Sequence, residues 1–460
     1  MNIILGNTKK IHFVGIGGIG MSGMAEFLQN HNFIISGSDI KLSNRTKHLK
    51  SIGIKIYIGH KKNNINNSDL IVFSSAVSQD NPELLQGKKN KIPVIKRAEL
   101  LGELIKIKDI SIAVAGTHGK TTTSSMIGNI LFEAKLDPTI ITGGIINKFN
   151  TNNISGSGNI IVVEADEFDR SFLSLKPTYT TINNIELEHL DIYKNIKDLK
   201  ETFIKYTNSI PFYGLAAISN DSKYAKEIKN KINRNIITFG IDIKSDIMAR
   251  NIKYKKNTST FILDYKNKKS KIELIIPGKH NVYNALAAIS ICIPIGIKID
   301  YIKKGLKKFN GVRRRFEMKY YNKNKNINFI DDYAHHPSEI ESTLESIKSG
   351  WPSKRIIAIF QPHLYSRTKS FYKQFAKSLM KSDINIITDI YAAREAPIKN
   401  VTSDLIIKEL KKQGHKNTWL INKKSISNKI NKIVLKNDLI ITMGAGDIYK
   451  SLDEIYKNIK

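Results

Sequence analysis

The sequence predicts an α/β protein of three domains, each built on a mainly parallel sheet. Short apolar runs alternate with helical patterns along the whole chain, as strands and crossover helices do in parallel sheets. Two of those runs enter glycine-rich turns that open directly into helices, "FVGIGGIGMSG" and "AVAGTHGKTTTSS". At 460 residues the chain is long enough for about three domains of roughly 150 residues each.

The elements follow in order. "IHFVGIG" is a buried strand entering a glycine turn, and "MSGMAEFLQN" is the helix after it. "FIISGSD" is a second strand ending in Asp39, and "DLIVFSSAV" a third. "IPVIKRAELLGELI" runs from strand into helix, completing a Rossmann-like domain over 1–108. A second domain, 109–310, opens with the strand "DISIAVAG", its turn and the helix "TTTSSMIGNILFEA". Its further strands are "NIIVVEAD", "TYTTINNI", "LAAISND" and "IITFG". A polar stretch from Asp242 to Glu273 alternates as antiparallel strands do, before the helix "NVYNALAAISICIPIG". The third domain, 311–460, is again Rossmann-like, with strands "INFIDDYA", "RIIAIFQ", "INIITDIYAA", "NTWLI" and "DLIITMG".

Composition excludes several classes. No apolar run reaches the roughly 18 residues of a membrane span. In "MNIILGNTKK" charge follows the apolar run, the wrong order for a signal peptide, so a cytoplasmic protein is expected. The lone cysteine, Cys292, lies in an apolar helical stretch and reads as core. The net charge of +32 raises nucleic-acid binding. Yet 62 of the 73 basic residues are lysines, scattered among Asn and Ile in stretches such as "GHKKNNINNSD". That is a compositional bias with non-specific attraction to polyanions, and it marks no specific nucleic-acid site.

Gly15, Gly17 and Gly20 fit the G-x-G-x-x-G dinucleotide fingerprint, which taken alone suggests a dehydrogenase. "GTHGKTT" is a different phosphate loop, in the short form G-x-x-G-K-T. The spacing puts Gly116 and Gly119 around phosphate oxygens, Lys120 toward the β- and γ-phosphates, and Thr121 on Mg²⁺. In "NIIVVEADEFD", Glu164 ends a buried strand, where an α/β sheet places its ligands. Asp166, Glu167 and Asp169 follow it, as supporting groups or as solvated loop. "NNIELEHLDIY" ends the next strand with His189, a candidate metal ligand, and Asp191.

Together "GTHGKTTT", "EADEFDRSF" and "NIELEHLDIY" resemble the central domain of the Mur ligases, the ATP-dependent amino-acid ligases of peptidoglycan synthesis. "FVGIGGIGMSGMAE", "PGKHNVYNALAA", "GVRRRFE", "DDYAHHPSEI", "FQPHLYSRT", "DIYAAREAP" and "MGAGDIY" resemble the family's alanine-adding branch, so the resemblance covers essentially the whole chain. It implies an N-terminal domain for a UDP-sugar, a central one for ATP and Mg²⁺, and a C-terminal one that closes over both and binds the amino acid. The implied reaction joins L-alanine to the lactyl carboxylate of UDP-N-acetylmuramate, through an acyl phosphate, with ATP becoming ADP and phosphate. A soluble monomer or homodimer is expected.

By the same resemblance, Gly116, Thr117, His118, Gly119, Lys120, Thr121 and Thr122 bind the triphosphate, while Thr121, Glu164 and His189 hold magnesium. His280, Asn281 and Asn284 match the adenine contacts, and Asp332 and His335 a nucleotide-facing strand end. Arg314 or Arg315 reaches the phosphates, with Arg314 taken as catalytic beside Lys120, Glu164 and His189. His363 and Arg367 are candidates for the alanine carboxylate. Gly15, Gly17, Gly18, Gly20 and Ser22 then grip the UDP diphosphate, and Asp39 either contacts the uridine or caps the loop. Six of the 11 arginines (Arg170, Arg313, Arg314, Arg315, Arg367 and Arg394) fall in these motifs of an otherwise lysine-using chain. Glu188, Leu364 and Phe168 depart from the family pattern, which usually has Asp, Arg and a small or polar residue there. The rival expectations are a recycling ligase that attaches a tripeptide and, less compatible with the second loop, the dehydrogenase.

Overall fold

The computed structural model describes residues 5–188, 192–393 and 395–459. It is a mixed α/β chain with three sheets, mainly parallel. The first sheet holds β1 (Lys10–Val14), β2 (Ile34–Asp39), β3 (Lys55–Ile58), β4 (Leu70–Phe73) and β5 (Val94–Lys96), in the order β3-β2-β1-β4-β5 and parallel throughout. This is the doubly wound order whose strand sequence reverses beside β1, so the turn after β1 faces the ligand crevice.

The second sheet runs through β6 (Ile110–Ala115), β7 (Thr139–Ile146), β8 (Thr151–Ile154), β9 (Ile160–Ala165), β10 (Tyr179–Ile182), β11 (Leu215–Ser219) and β12 (Asn235–Gly240). It continues into β13 (Ile247–Lys255), β14 (Thr258–Tyr265) and β15 (Lys268–Leu274). The order is β15-β14-β13-β12-β11-β10-β6-β9-β7-β8. The polar stretch expected to alternate does so: in β14 buried positions take every second place. Strands β3, β7 and β8 are additions to the sequence expectation. A glycine pair interrupts the apolar run of "TIITGGII", "TNNI" is polar, and β3, "KIYI", is only four residues long.

The third sheet has β16 (Glu317–Asn322), β17 (Ile327–Asp332), β18 (Arg355–Phe360), β19 (Ile384–Ile387), β20 (Thr418–Leu420) and β21 (Asp438–Met443). The order is β16-β17-β21-β18-β19-β20, with only β16 antiparallel to its neighbour. Alternate residues of β18 enter different cores: Ile356, Ala358 and Phe360 join one, Ile357 and Ile359 the other. Helices therefore cover both faces, which is why this strand reads as continuous apolar sequence.

By compactness the chain divides into two units. One is Met1–Arg250, Ile262–Ile272 and Tyr283–Phe309; the other is Asn251–Phe261, Glu273–Val282 and Asn310–Lys460. The first sheet and β6–β12 of the second fall in one unit because they share a core, which runs from Ile11 and Phe13 through Ile161 and Val163 to Ile218. Asn152 on β8 ties them by donating its amide to the Ile19 carbonyl at 3.1 Å.

The helix Lys120–Glu133, which follows the second glycine loop, is clamped by the helix Ile299–Lys307. A Cβ on Gly305 would lie 2.6 Å from the Ile130 Cα, and Asn129 Nδ2 donates to the Gly305 carbonyl at 2.6 Å. Gly305→Ala is therefore expected to lower stability by about 1–3 kcal/mol by pushing these helices apart. An unchanged urea-unfolding midpoint would refute that packing.

Candidate functional site

The second glycine loop is built by the strand beside it. Gly116 and Gly119 hold φ of +132° and +81°, conformations open to glycine. A Cβ on Gly116 would lie 3.0 Å from the Asn183 backbone nitrogen. Just past β10, the Asn184 carbonyl accepts from Thr117 N–H (3.1 Å), and its side chain brackets His118, taking the N–H at 2.8 Å and donating to the carbonyl at 3.2 Å. Thr117 Oγ1 accepts from Glu186 N–H at 2.9 Å. With Thr117 and His118 N–H so engaged, the donors left for phosphate are those of the first turn, Lys120–Thr122, which have no helical acceptor. The helix dipole adds positive potential there. Asn284 reaches the same turn, with its Oδ1 3.3 Å from Thr123 Oγ1.

Lys120 Nζ donates to the Gly116 carbonyl (2.8 Å), the Thr117 carbonyl (3.2 Å) and Glu167 Oε2 (2.7 Å). Burial alone would lower its pKa, but the charges of Glu167 and Asp166 outweigh burial and raise it. The lysine is therefore held as a cation. Across from it, Thr121 Oγ1 donates to Glu164 Oε2 at 3.0 Å, and Gly143 N–H donates to Glu164 Oε1 at 2.5 Å. Burial raises the Glu164 carboxyl against those two hydrogen bonds. A hydroxyl and a desolvated carboxylate converging at a strand end are a hard-oxygen donor set, and they fit Mg²⁺. His189, Asp191 and Arg394 lie outside the described residues.

At the first glycine loop, Gly15 (φ +80°) and Ile16 donate their N–H groups to the Ser38 carbonyl, at 2.9 and 3.0 Å. Gly17 N–H donates to Asp39 Oδ2 at 2.8 Å, so Asp39 braces the loop. A Cβ on Gly17 would stand 2.7 Å from that oxygen. Gly18 caps the helix Ile19–Asn30 with extended backbone. Gly20 faces Arg97, whose Nη1 would lie 3.0 Å from an added Cβ. Ser22 is buried, with its hydroxyl donated to the Ile19 carbonyl. Open donors toward a diphosphate are thus the first-turn N–H groups of Ile19–Met21. A shallow cleft opens between the first two sheets, lined by Lys96 and Arg97 from one and by Asp166, Phe168 and Asp169 from the other. Phe168, unusual for the family, thus supplies an apolar wall.

The third sheet gathers its candidates at its carboxyl edge. Arg314 is held by three acceptors: Nε donates to Asp331 Oδ2 (3.1 Å), Nη1 to the Gly446 carbonyl (3.1 Å) and Nη2 to the Gly444 carbonyl (2.7 Å). Its guanidinium also sits over the Tyr333 and Tyr449 rings. Arg315, over Tyr333 and 3.7 Å from Glu339, is the more exposed of the pair. Asp332 faces inward, accepting from Thr343 Oγ1 and Ala334 N–H. His335 and His363 lie edge to face 6.0 Å apart, and Arg367 Nη1 stands 3.3 Å from His363 Nδ1. Leu364, at the family's usual Arg position, holds φ +71°. His280 is half-buried near Ser346 Oγ, and desolvation lowers its pKa to about 4. Asn281 donates to the Pro277 carbonyl.

Sequence reasoning missed Asn183, Asn184, Gly143 and Arg97, and left Glu167 open between a supporting group and solvated loop. The asparagines carried a usable signal, since they follow a strand in the phosphate-loop domain.

Comparison with known proteins agrees along the whole chain. Residues 10–108 match the model described as Mur ligase family, catalytic domain; 114–292 match the Mur ligase middle domain; 314–446 match the Mur ligase, glutamate ligase domain. The chain is 45% identical over 457 residues to the UDP-N-acetylmuramate–L-alanine ligase of Persephonella marina, covering 99% of this chain and 98% of that one. It is 42% identical over 452 residues to the ligase of the same name from a Sulfurihydrogenibium species, covering 98% of each. Among solved structures it resembles the UDP-N-acetylmuramate-alanine ligase of Thermotoga maritima, with TM-score 0.83 and 30% identity over 98% of this chain and 99% of that one.

Burial raises the Asp332 carboxyl from 3.8 to about 6, against Arg315 and the Thr343 hydroxyl. The folded protein therefore keeps a proton that the unfolded chain has released, and its stability falls as pH rises from about 4 through 6, by on the order of 2–3 kcal/mol. Asp332→Asn should flatten that part of the stability–pH curve, measured by urea unfolding at several pH values. An identical slope in the variant would contradict the assignment.

Proposed function

The chain belongs to the Mur ligase family, and on that premise we propose that it joins L-alanine to the lactyl carboxylate of UDP-N-acetylmuramate with consumption of ATP. The observation that carries this is the convergence of Lys120, Thr121 and Glu164 at one loop, in a chain 41–45% identical end to end to alanine-adding ligases. We assign 1–108 to the UDP-sugar, 109–310 to ATP and 311–460 to closure and the amino acid, in a cytoplasmic enzyme. Among the described residues no helix is long and apolar enough to cross a membrane.

The chemistry accounts for the residue types. A carboxylate is a poor electrophile until its oxygen is phosphorylated. Two anions, the triphosphate and the lactyl carboxylate, must approach each other, and Lys120 offsets their repulsion. Its ammonium is already ionised and oriented by Glu167, so a phosphate oxygen needs only to join or replace that partner. First-turn N–H groups at Lys120–Thr122 hold the phosphates, while the Asn184 bracket keeps the loop from collapsing. Thr121 and Glu164, with His189, would hold Mg²⁺, whose charge supplies further neutralisation of the phosphates when bound. The acyl phosphate formed on the lactyl carboxyl is then attacked by the alanine amine, and phosphate leaves. Arg367 beside His363 offers a fork to the alanine carboxylate. Since Arg314 is already held by three acceptors, Arg315 is the guanidinium we assign to phosphate contact.

Phosphate release with UDP-N-acetylmuramate and ATP should appear with L-alanine in a panel of amino acids and peptides. Release with a tripeptide alone would mark a recycling ligase, and stabilisation by NAD alone a dehydrogenase. Lys120→Ala should lower turnover at least ~10²-fold while UDP-sugar binding persists; retained turnover would overturn the site. Arg314→Ala should lower the unfolding temperature, whereas Arg315→Ala should lower kcat with the unfolding temperature unchanged. The reverse pattern would return the role to Arg314.

A further inference from the structure

A buried polar cluster in the first sheet has no part in the chemistry above. Glu83, in the helix Pro82–Lys89, is fully buried. Its Oε2 accepts from Ser38 Oγ at 2.5 Å and lies 3.0 Å from His60 Nδ1. Its Oε1 accepts from Asn64 Nδ2 at 2.6 Å and lies 3.7 Å from His12 Nε2. Burial alone would raise this carboxyl, but its interaction with His12 and the hydrogen bonds from Ser38 and Asn64 outweigh burial and hold it at about 2. A buried carboxylate is costly unless satisfied in this way. The cluster is therefore a specific construction, not a gap in the core.

Two routes lead from Glu83 to the first glycine loop. In one, it fixes the side chain of Ser38, whose carbonyl takes the N–H groups of Gly15 and Ile16. In the other, it fixes Asn64, which also donates to the Gly59 carbonyl at 3.1 Å. Gly59 N–H donates to the Asp39 carbonyl at 2.8 Å, and the Asp39 carboxylate takes Gly17 N–H. All three loop anchors thus trace to one carboxylate through two side chains.

We propose that Glu83 is a positioning residue for the diphosphate of the UDP-sugar, setting the glycine loop through Ser38 and Asn64. The proposal rests on the assignment of that loop to the UDP-sugar. Glu83→Gln keeps the side chain's shape but turns an amide toward its donors. It should raise KM for UDP-N-acetylmuramate about ten- to a hundredfold, leaving kcat and the KM for ATP within about threefold. Ser38→Ala, which cuts one route and leaves the carboxylate, should move the same constant in the same direction by a smaller factor. Should Glu83→Gln fail to fold, Ser38→Ala decides. An unchanged UDP-sugar KM, or equal losses in both KM values and kcat, would overturn the proposal. Gly17→Ala separates this from failure of the underlying assignment. If that variant leaves the UDP-sugar KM unchanged, the loop does not bind the sugar nucleotide; if only it raises the KM, the loop binds and Glu83 does not position it.

Discussion

Lys120 is largely withdrawn from water, with its ammonium 2.7 Å from Glu167 and within hydrogen-bond reach of two loop carbonyls. A desolvated charge of this kind persists only where partners replace its hydration. Those partners come from separate places: β6 brings the loop, β9 leads to Glu164 and Glu167, and the segment after β10 supplies the asparagines that hold the loop open. Displacing any of the three strands by one residue would strand the lysine or the carboxylate. The parallel register of β6 with β9 and β10 is therefore a condition for the site.

The first glycine loop repeats the design with other chemistry. Again a strand, a glycine turn and a helix first turn stand beside a neighbouring strand end that takes the loop's inner N–H groups. In both loops the inner amides serve the loop, and the N–H groups of the helix's opening turn have no helical acceptor. Here the anchors are Ser38 and Asp39, and below them lies the buried Glu83 cluster. The two loops differ in their cations. The phosphate loop carries its own lysine, whereas the guanidinium beside the glycine loop, that of Arg97, comes from a different segment.

Much of this was readable from local sequence. The alternation of strands and helices and the Gly-Lys-Thr spacing each follow from short-range patterning, and so do the strand-end acids. β7 and β8 were not readable, because the glycine pair in "TIITGGII" and the polar run "TNNI" break the apolar pattern of a strand, and pairing with each other and with β9 supplies what that pattern does not show. Arg314 was weighed for catalysis on the family resemblance, with the use of arginine in a lysine-rich chain adding a need for fork geometry. That need exists, but its acceptors are Asp331 and the Gly444 and Gly446 carbonyls. No local pattern tells which of two adjacent arginines turns inward.

Residue type and spacing along the chain were enough to locate two glycine turns that open into helices, to single out Lys120 and Thr121 in the second, and to give the class of fold that presents them. These depend on backbone preferences and on neighbours a few residues away. Partnership across distance needed the folded chain. It pairs Glu167 with Lys120, Asn184 with His118, and Asp39 with Gly17. It also joins the first two sheets through one core. Such pairings depend on strand register and crossover packing, which set distances between residues tens of positions apart, and a one-dimensional pattern carries no such distances.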